Sequence, residues 1–303
     1  MNIDSLRAFV KIVECGSMTR AAEALMVAQP ALSRRLRELE EELGKPLFLR
    51  SGRQLQITPF GNEVLQHART VLAELDLIER LRISNSNEMR VLRVGASLTT
   101  LSRFVPLVIS RFRNMEPNVD IVVQTGVSQE IFDMVADGRV ELGVVSAASQ
   151  HRFIVRRFLF RDSLWAVCPA DHPLSELREV NPKHLHDVPL VTMTSRTVLR
   201  QDLNAVFSTY GVKPRICMEI DNVDAIQRMV EAHLGVSLLP KSVLSPAIES
   251  YKIKAVPFVV DEARMGDSLF RQYSVIHLDA PLSEDAERWM AVCMDVARQF
   301  AAE

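Results

Sequence analysis

Four leucines, Leu32, Leu36, Leu39 and Leu43, spaced by four, three and four residues, leave little freedom to the segment that holds them. Only an α-helix brings that spacing onto one face, and such a face has to be buried. Start and stop signals bracket it, because Pro30 suits a first helical turn while Gly44, with Pro46 behind it, ends the helix. The expected helix therefore covers residues 29–43, and its other side carries Gln29, Ser33, Arg34 and Arg37. Ahead of it, Leu6, Phe9, Val10 and Val13 form the stripe of a helix that ends at Gly16. Ala21, Ala22 and Leu25 form a short second stripe, over residues 17–25, with Ser17 placed to cap it.

Two helices joined by a tight turn make a helix-turn-helix, the arrangement whose second helix enters the DNA major groove by its N-terminal end. Gln29 and Ser33 carry donors and acceptors for base edges, and Arg34 or Arg37 can reach guanine edges or phosphates. An ordinary amphipathic helix with a solvated polar face is the plainer alternative. A hairpin follows over residues 47–57, turning at Ser51, Gly52 and Arg53. Between Lys45 and Thr58 every charge is positive, and Arg50 and Arg53 fit a wing on the phosphate backbone as readily as they fit a solvated tip.

Whole-chain charge points the other way: 36 basic against 38 acidic side chains give a net of -2, which disfavours a nucleic-acid partner. Segment by segment the objection falls. Residues 1–60 hold nine Lys or Arg and seven Asp or Glu, a net of +2, which leaves -4 for residues 61–303.

From Pro59 to about Ser84 only Gly61 interrupts a helical pattern, in which Val64, Ala68, Val71, Leu75 and Ile78 step by four and three. At 1.5 Å per residue this helix is roughly 35 to 40 Å long, and a single apolar stripe on it calls for a second subunit. The polar run at residues 84–87 reads as a linker. Beyond it, short apolar strands at 91–95, 120–124, 142–145, 164–168, 189–191, 215–220 and 236–239 alternate with helical patterns at 101–115, 128–137, 198–210 and 223–232. That alternation predicts an α/β fold with a mostly parallel sheet covered on both faces. About 210 residues exceed one such sheet, so two lobes are expected, with a last helix at 283–300 returning to the first.

Several classes are excluded. No stretch of 18 apolar residues suggests a membrane span, and Asp4, Arg7, Lys11 and Glu14 interrupt the first helix where an export signal would need continuity. Four cysteines without a CxxC pair point to reduced thiols in the cytoplasm rather than to zinc or disulfides, and Cys168 and Cys217 show no local sign of a thiol switch. The 12 methionines are accounted for by core packing. Nucleophile-elbow, zincin, phosphate-loop and dinucleotide motifs are missing, and His184 with His186 lack the partners of a metal site, so neither catalysis nor a cofactor is expected.

The run AAEALMVAQPALSRRLRELEEELGKPLFLRSGRQLQITPFG, residues 21–61, resembles the DNA-binding head of the LysR-type transcriptional regulators, and VEAHLGVSLLP, residues 230–240, resembles a segment of their second effector lobe. The resemblance covers the whole chain and is strongest over residues 3–61. It implies a winged helix-turn-helix over 1–59, a linker and dimerisation helix over 60–88, and an effector-binding domain over 89–303. Of that domain, the first lobe takes about 89–163 and 267–303 and the second about 164–266, the two together resembling periplasmic binding proteins. It further implies a cytoplasmic homodimer or homotetramer that binds double-stranded promoter DNA, contacts RNA polymerase, activates or represses, and responds to a small, anionic effector without any membrane partner.

The implied DNA-binding residues are Ser17, Thr19, Arg20, Gln29, Pro30, Ser33, Arg34, Arg37, Arg50 and Arg53. For the effector, the hydroxyl-rich strand ends stand out, because ligands of α/β sheets sit beyond the carboxyl ends of strands, where helix N-termini favour anions. These are Ser97, Thr99, Thr100, Thr125, Ser128, Ser146, Thr194 and Asn222, and the family's effector-contacting hydroxyl maps onto Thr99 when Gly95 and Pro106 anchor the spacing. Each alone serves equally well as a helix cap. Arg196 and Arg200 either pair with an anion or lie solvated on the surface. Two positions depart from the family: Ala28 stands where Ser is usual, and His233 where Gly is usual. Two rival functions remain at this level, a small-molecule binding protein with a vestigial head and an enzyme built on the two-lobed fold.

Overall fold

The structure is a computed structural model that describes residues 2–51, 54–83, 90–146, 153–244, 252–261 and 271–302. Two compact units make it up, one of helices with a hairpin and one an α/β body.

In the first unit, α1 (Ile3–Cys15) begins where the Asn2 side chain accepts the Asp4 amide at 3.0 Å, and it ends at Gly16, whose φ of 60° is the left-handed conformation that glycine adopts freely. A short α2 (Met18–Ala24) and α3 (Gln29–Leu43) follow, α3 closing at Gly44 with φ 69°. Ser17 occupies the expected cap position of α2, but its side chain caps no amide. The turn between α2 and α3 passes through Met26, left-handed at φ 53° and 93% exposed. Leu32, Leu36 and Leu39 are buried as the spacing requires, against Leu6, Phe9, Ile12 and Ala21 of the earlier helices, while Leu43 packs at the margin.

The hairpin pairs β1 (Phe48–Ser51) with β2 (Gln54–Ile57), Phe48 opposite Ile57. It is tied to α3 by Glu40, whose carboxylate accepts the Leu47 amide at 2.7 Å and the Phe48 amide at 3.2 Å. Gly52 and Arg53, at the expected tip, lie outside the described residues. Then α4 (Pro59–Ile83) runs 25 residues, about 37 Å. Gly61 permits its close start, since a Cβ there would stand 2.4 Å from the Leu47 carbonyl oxygen. Leu65 and Ala68 bury into the core of the unit, whereas Val71 and Ile78 are 42% and 55% exposed. The expected linker at 84–87 lies outside the described residues.

The body contains two sheet systems. The first lobe is built from β3 (Arg90–Ser97), α5 (Leu98–Ser102), α6 (Phe104–Met115), β4 (Val119–Gly126), α7 (Ser128–Ala136), β5 (Leu142–Val145) and β6 (Ile154–Asp162), completed by β12 (Arg271–Leu278) and α10 (Glu284–Ala302). Its five strands lie in the order β4-β3-β5-β12-β6. The second lobe holds β7 (Leu164–Pro169), β8 (Pro189–Thr192), α8 (Val198–Thr209), β9 (Arg215–Glu219), α9 (Val223–Glu231), β10 (Ser237–Pro240) and β11 (Ile253–Pro257), with a β10-β7-β11 sheet and a β8-β9 pair.

The expectation of a mostly parallel sheet is corrected. β3 is parallel to β4 and β5, and β8 to β9, but β12 runs antiparallel to β5 and β6, and β7 antiparallel to β10 and β11. The cause in the first lobe is the route of the chain: β6 keeps the direction of β3, β4 and β5 as it carries the chain out, and β12, which brings it back, runs against them. The single helix expected over 101–115 is two helices, broken at Arg103. Pro106 supplies the reason, since its ring would collide with the Ser102 carbonyl in a continuous helix. As expected, α10 returns to the first lobe, where Trp289 meets Phe112 edge-on at 5.2 Å.

Candidate functional site

On α3 the buried leucines turn the opposite face outward. Gln29, Pro30, Arg34 and Arg37 are exposed and Ser33 is half-buried. Thr19 of α2 reaches this face, its hydroxyl donating to the Gln29 side chain at 3.4 Å, and Arg20 beside it is exposed while Ser17 is half-buried. Arg34 stands 3.6 Å from Glu38, one turn on, a surface pair that constrains it weakly. At the cap of α3 the Ala28 carbonyl accepts the Ala31 and Leu32 amides at 2.9 and 3.1 Å, but no side chain caps the helix at this position, where the family's serine is usual. Arg50 lies on β1, and its side chain, like all of Arg53, lies outside what is described.

In the body, a cleft of about 280 Å³ counting its open mouth lies between the lobes. Ser97, Thr99, Ser128, Ser146 and Thr197 line it with hydroxyls, Leu98, Val127, Met193, Val198 and Leu199 with apolar surface, and Arg271 with a guanidinium. Four of the eight expected effector residues, Ser97, Thr99, Ser128 and Ser146, are thus brought together, with the Thr99 and Ser146 hydroxyls 2.7 Å apart.

The other four are not among the lining residues. Thr100 is fully buried and donates to the Ser97 and Val144 carbonyls at 2.8 and 3.0 Å. Thr125 is exposed on the edge strand β4. Thr194 bonds Asp221 through both its hydroxyl and its amide, at 2.7 and 2.9 Å, and Asn222 caps α9 by accepting the Ala225 amide at 2.8 Å. The plain capping account holds for Asn222.

Of the two arginines near Thr194, Arg196 lies on the surface as the solvated account has it and Arg200 does not. Arg200 is buried and bonded to Glu219, to the Asn204 side chain at 2.9 Å and to the Met193 carbonyl at 3.3 Å, so it braces the loop that presents Met193 and Thr197. Arg196 is exposed, 3.8 Å from Glu130 of the first lobe and 4.0 Å from Asp221 of the second.

Residues that strand ends did not point to come from three places. Thr197 caps α8, accepting the Arg200 amide at 3.3 Å, and a Thr just before a helical stripe is a signal that sequence carries. Leu98, Val127, Met193, Val198 and Leu199 look like ordinary core positions in sequence. Arg271 enters at the start of β12, from far along the chain, with no local mark.

Behind Thr99 a buried polar chain continues. The Tyr273 hydroxyl accepts from Ser242 at 2.9 Å, while the Ser242 amide donates to the Asp162 carboxylate at 3.1 and 3.2 Å. Burial drives the Tyr273 phenol upward, and it raises the Asp162 carboxyl against the opposing pull of Ser242 and Lys241. Burial also pushes the Cys168 thiol up to about 11, the reverse of what a reactive thiolate needs. Among the described residues no group of three His, Cys, Asp or Glu could hold a metal ion.

Comparison with known proteins adds independent findings. The family model described as the LysR substrate binding domain matches residues 85–298, and that of the bacterial regulatory helix-turn-helix protein of the lysR family matches residues 3–62. The transcriptional dual regulator GltC of Bacillus subtilis is 29% identical over 256 residues, covering 84% of this chain and 85% of that protein. The regulator BenM of Acinetobacter baylyi is 28% identical over 268 residues, covering 87% of each. Among solved structures, a full-length OxyR variant from Pseudomonas aeruginosa shares the fold at a TM-score of 0.68 with 24% identity, over 98% of this chain and 95% of that one. Full-length CbnR in complex with its target DNA does so at 0.60 with 20% identity, over 98% of this chain and 100% of that one.

Proposed function

Since the chain belongs to the LysR family of bacterial regulators, DNA-binding proteins with an effector-binding domain and not enzymes, we propose that it reads promoter DNA with the first turns of α3 and answers to a small anionic molecule in the cleft beside Thr99. The observation that supports this most is the outward run of Gln29, Arg34 and Arg37, set opposite buried leucines on one rigid helix. Gln29 and Ser33 suit base edges, Arg34 and Arg37 suit guanine or phosphate, and Ser17, Thr19, Arg20 and Pro30 flank them at the backbone. Arg50 and Arg53 would touch phosphates from the wing.

We divide the chain into a head over 1–59, a linker helix over 60–88 and an effector domain over 89–303, with lobes at about 89–163 plus 267–303 and at about 164–266. The exposed Val71 and Ile78 of α4 favour pairing with a second copy, so that two heads face an inverted repeat, and two such dimers form a tetramer. In this reading the regulator works in the cytoplasm, bends its promoter and contacts RNA polymerase. Effector binding shifts the populations of lobe arrangements and with them the spacing of the heads. Among the described residues no helix is long and apolar enough to cross a membrane.

A gel shift with DNA from upstream of the protein's own coding region tests the reading. The wild-type chain should give a specific complex, and Arg34→Ala should weaken it by about ten- to a hundredfold, the loss expected for one good base contact. Retained affinity in the variant would remove Arg34 from the interface, and no specific complex at any salt concentration would overturn the proposed function.

A further inference from the structure

The cleft has an asymmetry that its hydroxyls do not explain. Among the described residues that line it, Arg271 is the one charged side chain, and its Asp202 partner is not part of the lining. Arg271 is 5% exposed. Burying a guanidinium is costly unless its donors are met. The Arg271 guanidinium pairs through Nη1 with the carboxylate of Asp202, one turn into α8. The pair spans the lobes, since β12 belongs to the first sheet and α8 to the second. Asp202 thus stands behind the guanidinium and holds it while the same group faces the cleft. The rest of the wall is split between hydroxyls and apolar surface from Leu98, Val127, Met193, Val198 and Leu199.

Resting on the reading of the cleft as an effector site, we propose that Arg271 is its specificity-determining residue and selects a small monoanion with an apolar body. The anionic head meets Arg271 together with the hydroxyls of Thr99 and Ser146, and the body lies on Leu98, Met193 and Val198. A neutral amide meets the guanidinium with a dipole in place of a charge and binds less tightly, because a charge-assisted hydrogen bond is roughly twice as strong as a neutral one. A small, strongly hydrated dianion lacks the apolar body and binds less well than a monocarboxylate.

The test uses the full chain and thermal unfolding midpoints in titrations of benzoate, hexanoate and 3-methylbutanoate, each beside its neutral amide, with sulfate as the hydrophilic dianion. The wild-type chain should be stabilised by at least one carboxylate and not by its amide, with sulfate weaker. Arg271→Met should lose that preference, with apparent affinity for the carboxylate lower by about ten- to a hundredfold, the range for a hydrogen bond to a charged group. Because Arg271→Met strands Asp202, the double variant Arg271→Gln with Asp202→Asn, which keeps a neutral amide pair, serves as the second arm and should lose the preference equally. Equal response to acids and amides, no response of the wild-type chain to any of the carboxylates, or an intact preference in the double variant overturns the proposal. The DNA-binding reading is decided separately, by the gel shift of the wild-type chain and Arg34→Ala, so failure of Arg271 as selector is separable from failure of that reading.

Discussion

At the scale of single residues, two contacts make sharp predictions. Gly61 lets α4 start against the hairpin, and a methyl group there would stand 2.4 Å from the Leu47 carbonyl and 2.8 Å from Ile57 Cγ1. Gly61→Ala should therefore cost about 1 to 3 kcal/mol, the range for overpacking, read as a lower denaturant midpoint of the head. Asp162 has a carboxyl raised above its ordinary 3.8 by burial, so the folded chain holds that proton more tightly than the unfolded one. Its stabilising contribution is complete below about 3.8 and is lost as pH rises through the raised folded value. Asp162→Asn removes this loss, so wild-type unfolding midpoints should fall relative to the variant as pH climbs through that window. A constant difference at every pH would assign the effect to packing alone. His233, which departs from the family, adopts φ 60°, a left-handed conformation in which the family's usual glycine would sit without strain. Four hydroxyls of the cleft were legible because each lies at the end of a strand or within three residues beyond it. Thr194 and Asn222 carry the same mark and are turned to Asp221 and Ala225 instead, which nothing in the local sequence encodes.

At the scale of elements, the helices of the head are nearly complete in the sequence, because 3.6-residue periodicity with Pro and Gly at the ends leaves few alternatives. Strands were harder. β6 shows three consecutive exposed residues, Arg156, Arg157 and Phe158, on the edge of its sheet, so neither a continuous apolar run nor a clean alternation announces it. β11 is likewise an edge strand, and β12 mixes Gln272, Ser274 and His277 among its apolar positions, with Ser274 and His277 buried. Missing these three also hid the antiparallel pairings of β12 with β5 and β6 and of β11 with β7, though not that of β7 with β10, and with them the arginine that opens β12. The exposed half of the α4 stripe carries its own prediction. Ile78→Asp puts a charge on the face expected to pair, and the chain should then sediment as a smaller species than the wild type at equal concentration, with unfolding of the head unchanged. An unaltered sedimentation coefficient would move the dimer contact off this helix.

At the scale of the whole molecule, the net charge of -2 conceals a head of +2 joined to a remainder of -4. Affinity for DNA should therefore fall steeply with salt despite the acidic total, and Arg37→Ala should flatten the slope of log affinity against log salt by about two for a dimer, close to 0.9 for each lost phosphate contact. A slope identical to the wild type would assign Arg37 to a base edge or to neither. The route of the chain matters at this scale too. The head encloses its core within the first 83 residues, whereas β12, which begins at residue 271, lies between β5 and β6 in the middle of the first lobe's sheet. During synthesis from the N-terminus the head is thus complete long before the sensor, and the first sheet waits, with an open seam, for almost the last strand made. A message cut short after α4 and before that strand would yield a polypeptide with the head and no finished sheet behind it, which under the proposed function should occupy the operator without answering to an effector.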